Sequence, residues 1–241
     1  MNAARIAELL DPFLHEPVAA LGQKPAVLSP AQLHSISTYI DILIRWNVRI
    51  NLTAIRDPEE IVTRHFGESL FAARYLFPIP APVGTAARAC PEQSRRGCSA
   101  ERSSAALTAA DVGSGAGFPG LPLKLWAPHL SLTLIESNHK KATFLREVIR
   151  ALTLTDINIQ IARAGTITQT FDVVTLRAVE HFEAILPTAA NLVAPAGCLA
   201  LLISSAQQAQ ALSSLPHLAW CNPVPVPQSR SRILLLAHRE S

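Results

Sequence analysis

Residues 111–120 read DVGSGAGFPG, and what this stretch means decides the fold. The apolar run LTAADV (107–112) leads into it, and LPLKLW (121–126) follows with helical character. It is therefore a strand-to-helix turn, and its glycines supply backbone freedom and close approach where a Cβ would obstruct. Read from Gly115, through Ala116, Gly117, Phe118 and Pro119 to Gly120, it matches G-x-G-x-x-G, the dinucleotide fingerprint. Read from Gly113, it is G-x-G-x-G with Asp111 two residues ahead. The two readings imply different cofactors.

Working outward, strand and helix alternate. SLTLIE (131–136) reads as a second strand, and 139–152 as a helix with Phe144, Leu145, Val148, Ile149 and Leu152 inward. INIQIA (157–162) and FDVVTL (171–176) are a third and fourth strand, followed by a helix over 181–193. A turn at Ala194, Pro195, Ala196 and Gly197 precedes a fifth strand, CLALLIS. Residues 206–215 read as helical, and SRILLLAHR (231–239) as a last strand. Alternation of this kind predicts an α/β fold: a Rossmann-like, mostly parallel sheet with an antiparallel edge strand.

The first 77 residues are expected to form a helical extension. Ile6, Leu9, Leu10 and Phe13 share one side of a first helix. Ser29, Pro30 and Gln32 are a capping signal, and Leu33, Ile36, Ile40, Leu43 and Ile44 follow at helical spacing. Asp57-Pro58-Glu59-Glu60 repeats the device before Ile61, Val62, His65, Phe66 and Leu70. Residues 78–110 read as a proline-rich break and a disordered surface insertion, rich in Ala, Ser and Arg. Residues 107–241 form the ligand-binding domain.

Composition narrows the class. The chain has 241 residues, 49% hydrophobic and 16% charged, enough for a substantial core. No apolar run approaches a membrane span, and the amino terminus lacks a signal-like core, so a cytoplasmic protein is expected. Cys90, Cys98, Cys198 and Cys221 form no CxxC pair and have no histidines at metal spacing, so no metal is expected. The net charge of +3 is a weak pointer to an anionic partner.

Ligands of such sheets sit beyond the carboxyl ends of the strands, where the glycine loop lies. Gly113, Gly115 and Gly117 admit positive φ, and Asp111 can receive hydrogen bonds from the loop or bind a ligand amine. Glu136 stands 23 residues after Gly113 at the end of the second strand. A carboxylate there can accept both hydroxyls of a ribose, in NAD and in S-adenosylmethionine (SAM) alike. The glycine density from Gly113 onward favours SAM. Pro119 also removes an N–H that a pyrophosphate would use, and no G-K-[ST] follows. Arg177 falls at the end of the fourth strand, as a structural arginine or as a cation facing a ligand.

WNVRINLTAIRDPEEIVTRHFGESL (46–70), DVGSGAGFPGLPLKL (111–125), LIESNHKKATFLREV (134–148) and TLRAV (175–179) occur in order. Together they resemble the ribosomal RNA small subunit methyltransferase G family, also called glucose-inhibited division protein B. The resemblance implies a class I SAM-dependent methyltransferase fold that methylates guanine N7 in the 530 loop of 16S rRNA, with the small ribosomal subunit as partner. It implies SAM contacts from Gly113 and Phe118. Glu136, Ser137 and Asn138 would lie along the ribose and adenine, Ala164 and Gly165 would border the adenine, and Arg177 would complete the site. Arg64, His65, Lys124, Lys140 and Lys141 are candidates to approach RNA phosphates; for His65 the competing reading is a core histidine.

The sequence departs from the family twice. Gly165 stands where the family usually has glutamate, and LLISSAQQ lacks the usual Lys-Gly after the fifth strand. Three alternatives stay open: SAM chemistry on another substrate, an RNA-binding homologue with impaired catalysis, and a nicotinamide dehydrogenase, which Pro119 disfavours.

Overall fold

The strands nearest the sheet centre are apolar on both faces, so helices must cover both. A computed structural model describes residues 1–15, 26–78, 107–178 and 181–240. The expected break and insertion lie outside these residues except at their two ends, as do Cys90, Cys98 and Val179.

Eight strands form one sheet: β1 (Thr108–Val112), β2 (Ser131–Ile135), β3 (Ile157–Gln160), β4 (Phe171–Arg177), β5 (Val193–Ser204), β6 (Ala219–Trp220), β7 (Val224–Pro225) and β8 (Arg232–His238). Their order is β3-β2-β1-β4-β5-β8-β6, with β7 also on β8. β1 to β5 pair in parallel, and β8 runs antiparallel to β5. The last strand is thus antiparallel as expected, but it is not the edge. The two-residue strands β6 and β7, too short to show periodicity, cover its outer side. The expected turn at Ala194–Gly197 is a bulge inside β5. Phe171 pairs Val193, Val173 pairs Cys198, and Ala196 takes a φ of 59° between them.

After β1 the chain moves to β2 and β3 on one side, then returns to place β4 on the other. The topological switch point therefore lies between β1 and β4. Helices α5 (Gly120–Trp126) and α6 (His139–Ala151) pack on one face; α7 (Phe182–Asn191) and α8 (Gln208–Ser214) take the other. That leaves β4, β5 and β8 bare on the first face. The amino-terminal helices fill this gap: α1 (Ala3–His15), α2 (Pro30–Asn47), α3 (Pro58–Glu60), a π-helical segment (Ile61–Gly67) and α4 (Glu68–Leu76). Ile6, Leu10, Ile36 and Phe66 share one core with Leu121, Phe144 and Val148. Phe13, Phe71 and Ala72 pack on Ala200, Leu202, Leu234 and Leu236.

α2 begins as its sequence dictates. Ser29 accepts the Gln32 N–H, and the Gln32 side chain returns to the Ser29 N–H. The π turn was not foreseen. It brings the backbone of Gly67 against α1, where an added Cβ would lie 2.6 Å from the Phe13 ring.

Asp111 ties β1 to α5. Its carboxylate is 1% exposed and accepts the Thr175 hydroxyl at 2.8 Å and the Gly120 N–H at 3.2 Å. Burial outweighs these bonds and pushes its pKa up to about 6, from 3.8. The folded chain thus holds this proton more tightly than the unfolded chain. The contribution of Asp111 to stability is best below about pH 4 and falls by about 3 kcal/mol as pH rises through 6. Asp111→Asn lacks this fall. In urea titrations, the stability difference between variant and wild type should therefore move about 3 kcal/mol in the variant's favour between pH 3 and pH 7. A pH-independent difference would refute the assignment.

Candidate functional site

Three of the predicted loop glycines adopt the left-handed conformation, with φ of 69° at Gly113, 54° at Gly115 and 83° at Gly117. That geometry aims successive N–H groups back at the end of β2. Gly113 and Ser114 donate to the Ile135 carbonyl at 2.9 and 3.1 Å. Gly115 donates to Glu136 Oε2 at 2.9 Å, and Asn138 donates to Oε1 at 2.7 Å. Each carboxylate oxygen of Glu136 has therefore accepted one hydrogen bond and keeps a second lone pair. Asn138 goes on to cap α6, accepting the N–H groups of Lys140 and Lys141. Ser137, Asn138 and Lys140 are exposed, and Lys141 is half-buried.

Ala164 and Gly165 form a 3-10 turn beyond β3, the neighbour of β2. Gly165 is exposed, and a Cβ on it would fit without a clash, in ordinary contact with Thr188 Cγ2 at 3.9 Å. The predicted residues of β1, β2 and β3 thus meet at the carboxyl end of adjacent strands.

The amino-terminal helices grip the same loop. Tyr39 of α2 is fully buried, and its hydroxyl donates to the Ala116 carbonyl. The Phe118 ring stacks nearly parallel on Tyr39 (5.2 Å between centroids) and on His65 (4.7 Å), and Phe66 meets it edge-on. Phe118 is 6% exposed, so its side chain belongs to this stack. Gly117 must stay glycine, because a Cβ there would collide with the Tyr39 hydroxyl. Tyr39 was missed in the sequence. Its signal was a hydroxyl on an otherwise apolar helix face, which demands a partner when buried.

Arg177, at the end of β4, is 8% exposed and aims at the π segment. It donates to Glu68 Oε2 at 2.9 Å, to the Arg64 carbonyl at 2.6 Å and to His65 Nδ1 at 3.0 Å. A guanidinium only donates, so His65 Nδ1 accepts and the ring proton sits on Nε2, 2.8 Å from Thr53 Oγ1. Burial, ahead of the Arg177, Arg64 and Arg232 charges, holds the His65 pKa down to about 3, and the ring is neutral. Thr53 and Glu68 complete this network, and neither stood out in the sequence.

Two of the five phosphate-contact candidates change role. His65 is 9% exposed, with both ring nitrogens engaged and no positive charge to offer. Lys124 is 2% exposed and donates to the Pro128 and Leu130 carbonyls before β2, at the opposite end of the sheet. Arg64 is partly exposed but paired with Glu68 at 3.1 Å and Glu60 at 3.7 Å. Lys140 and Lys141 remain beside the loop. Among the described residues no three His, Cys, Asp or Glu side chains group to hold a metal, and no helix is long and apolar enough to cross a membrane.

Known proteins resemble this chain in sequence and in fold. The family model described as rRNA small subunit methyltransferase G matches residues 32–85 and 98–222. The ribosomal RNA small subunit methyltransferase G of Xylella fastidiosa (strain 9a5c) is 37% identical over 180 residues, covering 74% of this chain and 71% of its own. That of Xanthomonas campestris pv. campestris (strain B100) is 32% identical over 209 residues, covering 84% of each. The crystal structure of ribosomal protein L11 methylase from Lactobacillus delbrueckii subsp. bulgaricus superposes with a TM-score of 0.54 over 74% of this chain and 79% of that one. At 15% identity it shows the fold, that of a class I methyltransferase. A family match across both the helical extension and the sheet leaves one assignment: the chain belongs to the rRNA small subunit methyltransferase G family.

Proposed function

We propose that the protein transfers a methyl group from SAM to guanine N7 in the 530 loop of 16S rRNA. The observation that carries the cofactor is Glu136. Its buried carboxylate stands at the end of β2 with one free lone pair per oxygen, beside a loop that only positive-φ glycines could form. Two ribose hydroxyls fit those acceptors. Family membership carries the substrate.

SAM brings an activated methyl group on a sulfonium centre, so the protein has mainly to position donor and acceptor and exclude water. Glu136 orients the nucleoside. Gly113 and Gly115 leave room along the backbone, and Tyr39 and Phe118 hold the loop in shape. Ala164 borders the base edge. Gly165 beside it leaves a gap that a longer side chain could fill.

Guanine N7 carries a lone pair and gives up no proton, so no general base is required. The groups at the end of β4 agree with this. His65 is neutral, Glu68 is tied to Arg64 and Arg177, and Leu176-Arg177-Ala178 offers no Asn-Pro-Pro or Asp-Pro-Pro motif for an exocyclic amine. Cys198 pairs in register with Val173 near the start of β4, away from the carboxyl end of the sheet, so it is not placed as a carbon-5 nucleophile.

The deciding experiment incubates the protein with SAM and small ribosomal subunits and maps modified guanines by strand cleavage at N7-methylguanine. Methylation at one guanine of the 530 loop is expected. SAM binding with no methylated RNA would replace this reading with an impaired RNA-binding homologue. In calorimetry, Glu136→Gln should weaken SAM by about tenfold or more, roughly 1.4 kcal/mol. Gly113→Val should abolish SAM binding, and retained affinity would overturn the loop assignment. With His65 neutral, kcat should be flat from about pH 6.5 to 8.5. A limb near pH 7 that disappears in His65→Asn would contradict its buried, neutral state.

A further inference from the structure

The loop between α2 and α3, residues 48–57, sits over the switch point. Thr53 hydrogen-bonds His65, and His65 bridges Phe118 after β1 and Arg177 at the end of β4. The loop is therefore one side chain away from both strands that flank the site.

It is also rigidly built. Asn47, 6% exposed, spends its side chain on it: Oδ1 accepts the N–H groups of Leu52 and Thr53 at 2.8 and 3.0 Å, and Nδ2 donates to the Thr53 carbonyl at 2.9 Å. Ile55 N–H donates to Thr53 Oγ1, and the Arg49 and Ile50 N–H groups return to the Trp46 carbonyl. A loop held this firmly loses little entropy when it binds.

What it displays is positive. Between Asp41 and Asp57 the sequence carries Arg45, Arg49 and Arg56 and no acid. Arg45 approaches Glu147 at 3.9 Å. Arg49 and Arg56 are exposed and make no side-chain hydrogen bond or ion pair among the described residues. The nearby acids are already committed. Asp57 caps α3 through the Glu60 N–H, Glu59 pairs with Arg5 at 2.7 Å, and Glu60 approaches Arg64. Val48, 80% exposed, adds an apolar surface beside Arg49. Two unpaired guanidiniums on a preorganised loop, next to an apolar surface, suit a polyanion with planar bases.

We propose that the 48–57 loop is the surface that holds substrate RNA over the cofactor end of the sheet, with Arg49 and Arg56 binding its phosphates. This rests on the rRNA reading above and names the partner contact of that site, in place of His65 and Lys124.

The test is the double variant Arg49→Glu/Arg56→Glu, with Arg49→Lys/Arg56→Lys as the charge-conserving control. The probes are a 16S rRNA transcript and intact small subunits. Charge reversal should weaken RNA binding by at least about tenfold and flatten the slope of log affinity against log salt by about 1.5. The KM for RNA should rise and SAM affinity by calorimetry should stay at the wild-type value. The lysine control should keep most of the RNA affinity. Unchanged RNA affinity and salt slope, in a protein whose wild type methylates rRNA, overturns the loop while sparing the rRNA reading. Loss of SAM affinity in the charge-reversed variant also overturns it, since the loop would then be serving the cofactor. A wild-type protein that binds SAM but neither binds nor methylates rRNA overturns the rRNA reading and this surface with it.

Discussion

A guanidinium taken out of water must be given acceptors, or it costs several kcal/mol. Arg177 is such a group, and much of the junction between helices and sheet follows from its demands. Its charge is met by Glu68 from α4, and its two terminal nitrogens also donate to the Arg64 carbonyl and His65 Nδ1, while its buried Nε has no hydrogen-bond partner. All three partners come from one stretch of helix, 64–68, so that stretch is held at a fixed depth over the end of β4. The π turn is the local means. A wider turn over Ile61–Gly67 accompanies the inward placement of both His65 and Glu68, and Gly67 lets α1 close over the outside. His65 can stay there only uncharged, because a second cation beside Arg177 would be repelled.

The helical extension then reads as part of the methyltransferase fold. The crossovers β1-α5-β2-α6-β3 put two helices on one face but leave β4, β5 and β8 uncovered there. Phe13, Phe71 and Ala72 supply the missing apolar cover. Tyr39 goes further, bonding the Ala116 carbonyl from within that cover. The amino-terminal helices therefore support the shape of the glycine loop from behind, while the loop's open side keeps Glu136.

Signals that act over a few residues were legible in the sequence. Ser29 and Gln32 announce the start of α2 because the capping box closes within one turn. DVGSGAGFPG announces its loop because positive φ is a demand on each glycine alone. Glu136 is readable because its position follows from the length of one strand–helix unit. Long-range pairing was not legible. Glu68 and Arg177 are 109 residues apart, and nothing near either names the other. Lys124 misleads for a related reason. Its helix places it against the core, and only the fold reveals that its ammonium finds two carbonyls at the far end of the sheet. His65 carried two readings, a phosphate ligand beside Arg64 and a core histidine on the apolar face, and its spatial neighbours Phe118 and Arg177 select the second.

The same network bears on chemistry. Methyl transfer needs alignment of donor and acceptor, and an error of about 1 Å can cost a hundredfold in rate. Alignment requires that the element holding the acceptor and the element holding the donor move as one body. The loop between α2 and α3 and the glycine loop are joined by a short link: Asn47 fixes Thr53, Thr53 bonds His65, His65 stacks on Phe118, and Phe118 belongs to the glycine loop. Every member is buried or partly buried and already hydrogen-bonded or stacked, so the link needs no ligand to assemble it. A catalytic base in the place of His65 would have to change charge during turnover. A positioning histidine must not, and burial beside Arg177 keeps this one from doing so.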